Sequence, residues 1–488
     1  MYLGLDIGTS GIKTVLVDED QNIIAQADSS LEVNRPHPLW SEQNPADWWA
    51  ATCDTLAQLA KSNPAEMAQV KAMGLAGQMH GATLLDDNGD VLRPAILWND
   101  GRSAAECAEL EAKEPDLRSI SGNIAFPGFT APKLLWVAKN EPEIFAKVAM
   151  VLLPKDYIRY LLTGEYIAEM SDAAGTLWLD TGARDWSEKL LTATGLTKKQ
   201  MPRLVEGSDP AGILTDDLAA KFGMPNGVVL AGGAGDNAGG AIGIGVVEAG
   251  RAFLSLGTSG VIFLCNDKYS PNPDAAVHAF CHAIPNVWHQ MSVMLNAASC
   301  LTWVTKLTGA KSEGDLIAEI EAAPVNEDSK LIFLPYLSGE RTPHNDPNAM
   351  GVFFGLTPDT DRAALGRAVL EGVSFCFADG LDSMLSAGAS IEQVSVIGGG
   401  SRSEFWGQML ADVLGYPLTY HQGGEVGPAY GGARLARLAV TGENAADICT
   451  APPVKNVVTP NADAKPYYEE RLERYRRLYT LLKPEFAK

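Results

Sequence analysis

Two copies of one tetrapeptide are the first residues in this sequence whose types and spacing suit chemistry. Gly8-Thr9-Ser10-Gly11 and Gly257-Thr258-Ser259-Gly260 are identical, and each lies between two strand-like apolar runs. Glycines permit a tight turn, and the exposed amides and hydroxyls of such a turn can surround phosphate oxygens. One copy alone predicts only a hairpin turn, but two copies predict a duplicated fold whose loops hold adjoining phosphates of one nucleotide. The predicted phosphate contacts are Thr9, Ser10, Gly257, Thr258 and Ser259.

A carboxylate precedes the first tetrad but not the second. Asp6 ends the strand-like run before the first copy, whereas Ser255 occupies the matching place before the second. A carboxylate beside bound phosphate is unfavourable unless a cation lies between them, so we predict that Asp6 supports Mg²⁺ through a water molecule. The alternative is an aspartate that caps its own turn.

A second aspartate lies in a glycine-rich segment. Residues 231–240 follow an apolar run at 228–230 and carry one acid, Asp236. Glycines let a ligand approach the backbone, and a loop carboxylate can accept a hydroxyl proton while that oxygen attacks phosphorus. Asp236 is therefore the predicted general base. A helix N-cap is the alternative role for this residue.

Gly398, Gly399 and Gly400 form a third glycine cluster, between a strand-like run and a predicted helix at 404–414. This arrangement suits nucleotide contact at the start of a helix, although a tight turn is the reading without the other motifs. The cluster lacks the glycine spacing of a dinucleotide-binding fold and the lysine-containing ending of a P-loop. Both of those folds are therefore disfavoured.

The segment Gly77-Gln78-Met79-His80-Gly81 follows a strand-like run at 72–76. It places a polar pair and a thioether at a strand end between glycines, where they suit binding of a small polyol. For His80 a purely structural hydrogen bond is an equally good interpretation.

The elements that must position these residues are of mixed type. Strand-like runs open each half, and helical spacing is found at 45–59, 131–145 and 362–385, with an amphipathic closing helix at 467–482. The repeated tetrads divide the chain near 245–250. We therefore predict an α/β protein of two domains, 1–245 and 246–488.

Composition and charge narrow the class of protein. The 488 residues are 46% hydrophobic and carry a formal net charge of −22, which disfavours nucleic acid and anionic membranes as partners. No apolar run is long enough to span a bilayer, and the start does not resemble a secretory signal. The seven cysteines are scattered and without CxxC spacing, so we expect a reducing cytoplasm and neither a disulfide framework nor a zinc site.

Together these motifs resemble the FGGY carbohydrate kinases. That family has a duplicated actin/hexokinase-like (ribonuclease H-like) ATPase fold, with a catalytic cleft between two domains. One family signature matches GFTAPKLLWV at 128–137, and the other matches 351–371, beginning GVFFGL. The second departs from the usual pattern at Ala364, where a polar residue is common.

Other motifs are similar to those of family members that act on D-xylulose: HPLWSEQ at 37–43, GQMHG at 77–81, LWNDGR at 97–102 and LSGERTP at 337–343. This resemblance implies magnesium- and ATP-dependent phosphorylation of D-xylulose to D-xylulose 5-phosphate in xylose catabolism. It implies these roles: general base, Asp236; magnesium support, Asp6; sugar contacts, Met79, His80 and Asn237; adenosine loop, Gly398 to Gly400.

Several alternatives stay open on the sequence. A kinase of the same family for ribulose, glycerol, gluconate or rhamnulose differs in only a few side chains. A chaperone-like or filament-forming ATPase uses the same phosphate loops, but nothing after residue 429 resembles an added module. A catalytically silent sugar sensor is disfavoured because Asp6 and Asp236 are both present. A homodimer is expected only because two-fold oligomers are common.

Overall fold

Two seven-stranded sheets form the framework, one built from each half of the chain. The structure, a computed structural model, describes residues 1–422 and 427–486. The strands of the first half are β1 (Tyr2–Ile7), β2 (Gly11–Val17), β3 (Ile23–Ser30), β4 (Glu42–Gln43), β5 (Ala72–Gly77), β6 (Thr83–Leu85), β7 (Ala95–Ile96), β8 (Met150–Leu152), β9 (Ile167–Glu169), β10 (Leu179–Asp180), β11 (Asp185–Trp186), β12 (Arg203–Val205), β13 (Pro210–Ile213), β14 (Val229–Ala231) and β15 (Ala234–Gly235). Its helices are α1 (Pro45–Ser62), α2 (Pro64–Met67), α3 (Ala104–Lys113), α4 (Leu117–Ser121), α5 (Thr130–Asn140), α6 (Pro142–Phe145), α7 (Pro154–Thr163), α8 (Met170–Ala174), α9 (Glu188–Ala193), α10 (Asp216–Lys221) and α11 (Asp236–Ile244).

The second half continues with a similar mixture of strands and helices. Its strands are β16 (Arg251–Leu256), β17 (Gly260–Asn266), β18 (His278–Cys281), β19 (Trp288–Met294), β20 (Ile332–Leu334), β21 (Val352–Phe354), β22 (Gln393–Ile397), β23 (Leu418–His421) and β24 (Val454–Val458). Its helices are α12 (Ala298–Thr308), α13 (Glu313–Ala322), α14 (Arg362–Leu385), α15 (Glu404–Leu414), α16 (Pro428–Thr441), α17 (Ala445–Ile448) and α18 (Lys465–Phe486).

The two sheets repeat one topology. The first has the order β13-β14-β5-β1-β2-β3, with its seventh strand, β15, also paired with β5, and the second has the order β24-β23-β22-β16-β17-β19-β18. In the first sheet, β1 is antiparallel to β2 on one side and parallel to β5 on the other. In the second sheet, β16 is likewise antiparallel to β17 and parallel to β22. The next strand outward is again parallel, and the edge strand beyond it is antiparallel. The predicted duplication is therefore confirmed as a repeat of strand order and direction.

Helix α16 belongs to the second half of the chain but packs on β1 and β5 of the first sheet. Glycines make this close approach possible. A Cβ added to Gly4 would lie 1.8 Å from the Ala429 carbonyl oxygen, and one added to Gly74 would lie 2.0 Å from that of Gly432. The helix ties the two halves together, so the boundary at 245/246 stays a prediction.

Most of the predicted helices are confirmed. Those at 45–59, 362–385 and 467–482 correspond to α1, α14 and α18. The single helix predicted at 131–145 is wrong, because the structure has two separate helices there, α5 and α6. Pro142 has no N–H for a helical hydrogen bond and disfavours helical backbone at Glu141, which has φ −133° and ψ 55°.

Candidate active site

Three strands end side by side at one edge of the first sheet. β1 and β15 each pair in parallel with β5, so that Ile7 and Gly235 both lie opposite Gly77. Parallel strands bring their carboxyl ends to the same edge. The edge therefore collects Asp6, the segment at 78–80 and Asp236, which are far apart in the sequence.

A cavity of about 240 Å³ opens beside these strand ends and is lined by both halves of the chain. The first half supplies the predicted sugar contacts Met79, His80 and Asn237 together with Asp236 and Trp98. The second half supplies Ser259, His278, Phe280 and Arg341. A ligand in this cavity would touch both halves. We call this cavity the sugar-side cavity, after the predicted sugar contacts that line it.

Asp236 is the first residue of α11, and the N-cap of that helix is Gly235. The alternative prediction of Asp236 as the N-cap is therefore wrong. Its Oδ1 accepts hydrogen bonds from the backbone N of Asn237 at 2.7 Å and from its Nδ2 at 2.9 Å. Burial raises the pKa of Asp236 from 3.8 to about 6, against the lowering effect of those two bonds. A carboxylate with a raised pKa accepts a proton more readily near neutral pH.

Asp6 lies close enough to Asp236 for their charges to interact. Burial is the main cause that raises the pKa of Asp6 to about 7, the charge of Asp236 adds to it, and Lys13 opposes it. Its Oδ1 is buried without a hydrogen-bond partner among the described residues. The turn that follows closes through the Gly8 N–H and the Gly11 carbonyl, so a capping role for Asp6 has no support. An unpaired buried carboxylate oxygen fits a bound water or cation.

His80 has a left-handed backbone, with φ 69°. Its Nδ1 lies 2.7 Å from the Gly175 carbonyl oxygen, which can only accept, so Nδ1 carries the proton. Burial is the main cause that lowers the pKa of His80 to about 3, and the ring is therefore neutral. Nε2 is then left with a lone pair that can accept a hydroxyl proton from a ligand.

The hairpin that contains Thr9 and Ser10 is tied by hydrogen bonds to the segment at 77–81 and to Trp98. The Thr9 hydroxyl donates to Gln78 Oε1 at 2.9 Å and accepts from Trp98 Nε1 at 3.0 Å. Its side chain is thus engaged towards the sugar-side cavity, while Ser10 is exposed. A phosphate contact in this hairpin would come from Ser10 and from backbone amides.

Two further cavities, of about 650 and 700 Å³, share the lining residues Ala298, Thr302, Gly399 and Gly400. Gly257 and Thr258 line the smaller one. Gly398 follows β22 with φ 92°, a backbone region that favours glycine. The predicted helix at 404–414 is confirmed as α15, and its N-cap is Ser403, so the three glycines form the turn before it.

Two family models match most of the chain. The N-terminal domain of the FGGY family of carbohydrate kinases matches residues 1–243, and the C-terminal domain of that family matches residues 252–440. The chain belongs to the FGGY family of carbohydrate kinases. Its duplicated sheets accordingly have the actin/hexokinase-like architecture of FGGY kinases.

This FGGY kinase is similar over its whole length to proteins named for one sugar. It is 52% identical over 488 residues to the xylulose kinase of Escherichia coli, covering 100% of both chains. It is 51% identical over 485 residues to the xylulose kinase of Klebsiella pneumoniae, covering 99% of each. A crystal structure described as a xyloylose kinase from Brucella ovis superposes with a TM-score of 0.96 at 52% identity, covering 99% of both chains.

Several lining residues of the sugar-side cavity were not singled out from the sequence as contacts. Trp98 and Arg341 lie in the motifs at 97–102 and 337–343, so the family likeness carried a signal for them. His278 and Phe280 lie on β18 without any recognisable motif. Only the pairing of β18 with β19 in the folded sheet brings them to the cleft.

Proposed function

We propose that this FGGY kinase transfers the γ-phosphoryl group of ATP to D-xylulose and releases D-xylulose 5-phosphate and ADP in pentose catabolism. The observation that carries the proposal is one cavity that contains Asp236, Met79, His80 and Asn237. Gly399 and Gly400 line both neighbouring cavities, and the second tetrad lines the smaller one. The names of the full-length relatives supply the sugar.

Asp236 acts as the general base in this proposal. It accepts the proton of the terminal hydroxyl at C5 while that oxygen forms a bond to the γ-phosphorus. The bond from the γ-phosphorus to the bridging oxygen breaks in line, and ADP leaves. Met79, His80 and Asn237 hold the sugar, and the neutral His80 accepts one of its hydroxyl protons through Nε2.

The phosphate groups would be held by both glycine hairpins and by the turn at 398–400. Ser10, Thr258 and Ser259 offer hydroxyls, and Gly257 and the turn at 398–400 offer backbone amides to the nucleotide. Ser259 lines the sugar-side cavity and Thr258 lines the neighbouring cavity of about 650 Å³, so one hairpin reaches both. This continuity supports a direct path for phosphoryl transfer between the two ligands.

Asp6 suits magnesium, because its buried Oδ1 has no other partner among the described residues. No group of three or more His, Cys, Asp or Glu ligands is found in the described part of the chain, so the other ligands of an ion would be phosphate oxygens and water. When bound, Mg²⁺ neutralises charge on the phosphates during transfer. Asp6 itself would hold the water that links the ion to the protein.

The proposal extends to the cellular compartment and the oligomeric state of the enzyme. All seven cysteines are unpaired, which supports the expectation of a reducing compartment such as the cytoplasm. Among the described helices, none combines the length and the apolar character that crossing a membrane requires. A homodimer stays a prediction from the general frequency of two-fold oligomers.

A panel assay tests the proposed function. Purified protein is supplied with ATP, magnesium and one of D-xylulose, D-ribulose, glycerol, D-gluconate or L-rhamnulose, and ADP release is measured alongside the sugar phosphate by mass spectrometry. We expect D-xylulose to give the highest kcat/KM and a 5-phosphate product. A different preferred sugar would refute the assigned substrate but keep the kinase, and ADP release independent of every sugar would refute the kinase.

A further inference from the structure

Arg341 places a positive charge at the wall of the sugar-side cavity, where the charge of the neighbouring Glu340 acts on it without forming a salt bridge. Among the described residues, no acidic side chain forms an ion pair with it. Other buried arginines of this chain have their acceptors within the protein. Arg93, Arg102, Arg159 and Arg471 pair with carboxylates. Arg434 has no carboxylate partner but donates to the carbonyls of Ile242 and Gly243 and to Gln21 Oε1. Taking a guanidinium out of water is costly unless it gains acceptors, so an arginine left in this state points to a ligand.

The orientation of Arg341 is fixed through a chain of hydrogen bonds. Asn123 Nδ2 donates to the carbonyls of Ser121 and Ala279, each at 2.9 Å, which turns Asn123 Oδ1 towards His278 Nδ1 at 3.1 Å. His278 therefore carries its proton on Nδ1. Its Nε2 accepts from Arg341 Nη1 at 3.4 Å.

The face and the backbone of Arg341 are also held. Its guanidinium lies 4.8 Å from the ring centroid of Phe126. Its backbone N donates to Glu340 Oε1 at 2.7 Å, and the same oxygen accepts from the backbone N of Leu295 at 2.9 Å. The described residues offer the guanidinium one hydrogen-bond acceptor, His278, for its five N–H groups. The remaining donors are therefore available to a ligand in the cavity.

We propose that Arg341 is a sugar contact contributed by the second half of the chain, donating hydrogen bonds to the oxygens of the bound sugar. The inference rests on the proposed function. Asp236 and His80 hold the sugar from the first half, so the contact from Arg341 makes the sugar a bridge between the halves. Hydrogen bonds from a charged donor are stronger than neutral ones and are stronger still away from water. Binding of the sugar then favours the closed arrangement in which phosphoryl transfer takes place.

The test compares Arg341→Met and Arg341→Lys with the wild type in steady-state kinetics for D-xylulose and for ATP. We expect R341M to raise the KM for D-xylulose about tenfold or more, because a charged hydrogen bond is lost, with a smaller rise for R341K. The KM for ATP is expected to stay within about twofold of the wild-type value, since the nucleotide side is not touched. Arg474→Met is the matched control: Arg474 also lies over an aromatic ring, Phe354 at 5.6 Å, but on α18 outside the cleft.

An unchanged KM for D-xylulose in R341M would overturn the proposal. A lower kcat at unchanged KM would also overturn it and would place the guanidinium on the transferring phosphoryl group instead. If R341M does not fold by circular dichroism, R341K decides, with an unchanged sugar KM as the refuting result.

The failure of the proposed function is distinguishable from the failure of this inference. If the wild type prefers another sugar, the same comparison is made with that sugar, and the expected rise in KM is the same. If no sugar stimulates ADP release by the wild type, both proposals are overturned.

Discussion

Replacing Asp236 with asparagine separates its proposed role as a base from its cost to the fold. Asn has the size of Asp and keeps an oxygen for the two hydrogen bonds from Asn237, but it cannot take up the proton of the sugar hydroxyl. We expect kcat to fall by roughly 10²- to 10⁴-fold, the usual contribution of general-base catalysis. The KM for ATP should change little.

The wild-type pH profile follows from the same carboxylate. The base must be ionised to act, and burial raises its pKa to about 6. The kcat/KM for D-xylulose should therefore rise with pH through about 6 and level off above it, whereas an aspartate with its ordinary pKa of 3.8 would give no rise in this range. Asp6 must also be ionised to support magnesium, and its pKa is raised to about 7. The rise in kcat/KM should therefore extend to pH values above 6.

The effect on stability has the opposite sign. Raising the pKa of a buried carboxyl from 3.8 to about 6 means that the ionised form is disfavoured in the fold by about 3 kcal/mol. This penalty is absent below the unfolded pKa and is complete once the pH exceeds the folded pKa. Asn does not ionise, so the stability of D236N relative to the wild type should increase as the pH is raised from 4 to 7.

The activity assay detects ADP and sugar phosphate directly by mass spectrometry, so that no coupling enzyme limits the low-pH points. Apparent Tm values at each pH report the change in stability. Asp379→Asn is the matched control, because burial also raises the pKa of Asp379 to about 6 although it lies on α14 beside Arg476. It should leave the activity profile unchanged. Activity of D236N above about a tenth of wild type, or a flat wild-type profile between pH 5 and 8, would refute the base assignment.

Two further predictions follow from close contacts near the site. Lys133→Met should raise the KM for D-xylulose with little change in kcat. The buried Lys133 Nζ donates to the His80 carbonyl at 2.8 Å and helps to hold the left-handed backbone of His80. A lower kcat at unchanged KM would contradict this positioning role. Gly431→Ala should destabilise the protein by several kcal/mol, since its Cβ would lie 1.9 Å from the Gly239 carbonyl oxygen. Gly240→Ala is the control, because its Cβ would meet no atom within 4 Å and should be tolerated. Equal Tm values for the two variants would refute the packing argument.

The parts of the site that sequence predicted well are those that a local motif defines. Each tetrad lies between two strands because apolar runs flank a glycine turn, and both hairpins are present as β1-β2 and β16-β17. Met79 and His80 could be placed at a strand end because β5 is a short apolar run that stops at Gly77. In these cases the structure depends on neighbours within a few residues.

The parts that sequence predicted poorly depend on distant residues. The helix predicted at 131–145 is interrupted because the periodic apolar pattern continues across Pro142, where the backbone cannot. His278 and Arg341 come to the sugar-side cavity only when the second sheet closes against the first half. Their hydrogen bond joins positions 63 residues apart, and no spacing rule predicts such a pair.

The duplication accounts for the proposed placement of the sugar and the nucleotide on different halves of one cleft. When the two tetrads are aligned, Asp6 corresponds to Ser255. Asp6 lies opposite Ala76 in the first sheet, and Ser255 lies opposite Ile397 in the second. The segment at 77–79 therefore corresponds to the turn at 398–400. At one position of the repeated fold the first half therefore has polar and thioether side chains that suit a small sugar. At the same position the second half has glycines: a Cβ on Gly400 would lie 2.6 Å from Leu256 Cγ, which keeps the turn against β16.

The same comparison applies to the carboxylate. Asp6 in β1 corresponds to Ser255 in β16, so only the first half places a negative charge at the strand end beside its phosphate hairpin. A second aspartate at the position of Ser255 would repel the nucleotide phosphates, and a further cation would be needed to offset that repulsion. With the roles proposed for Asp236 and Asp6, both carboxylates lie on the sugar side, and the nucleotide side offers neutral hydroxyls and backbone amides. Phosphoryl transfer then proceeds from the half without these acids to the half that contains both.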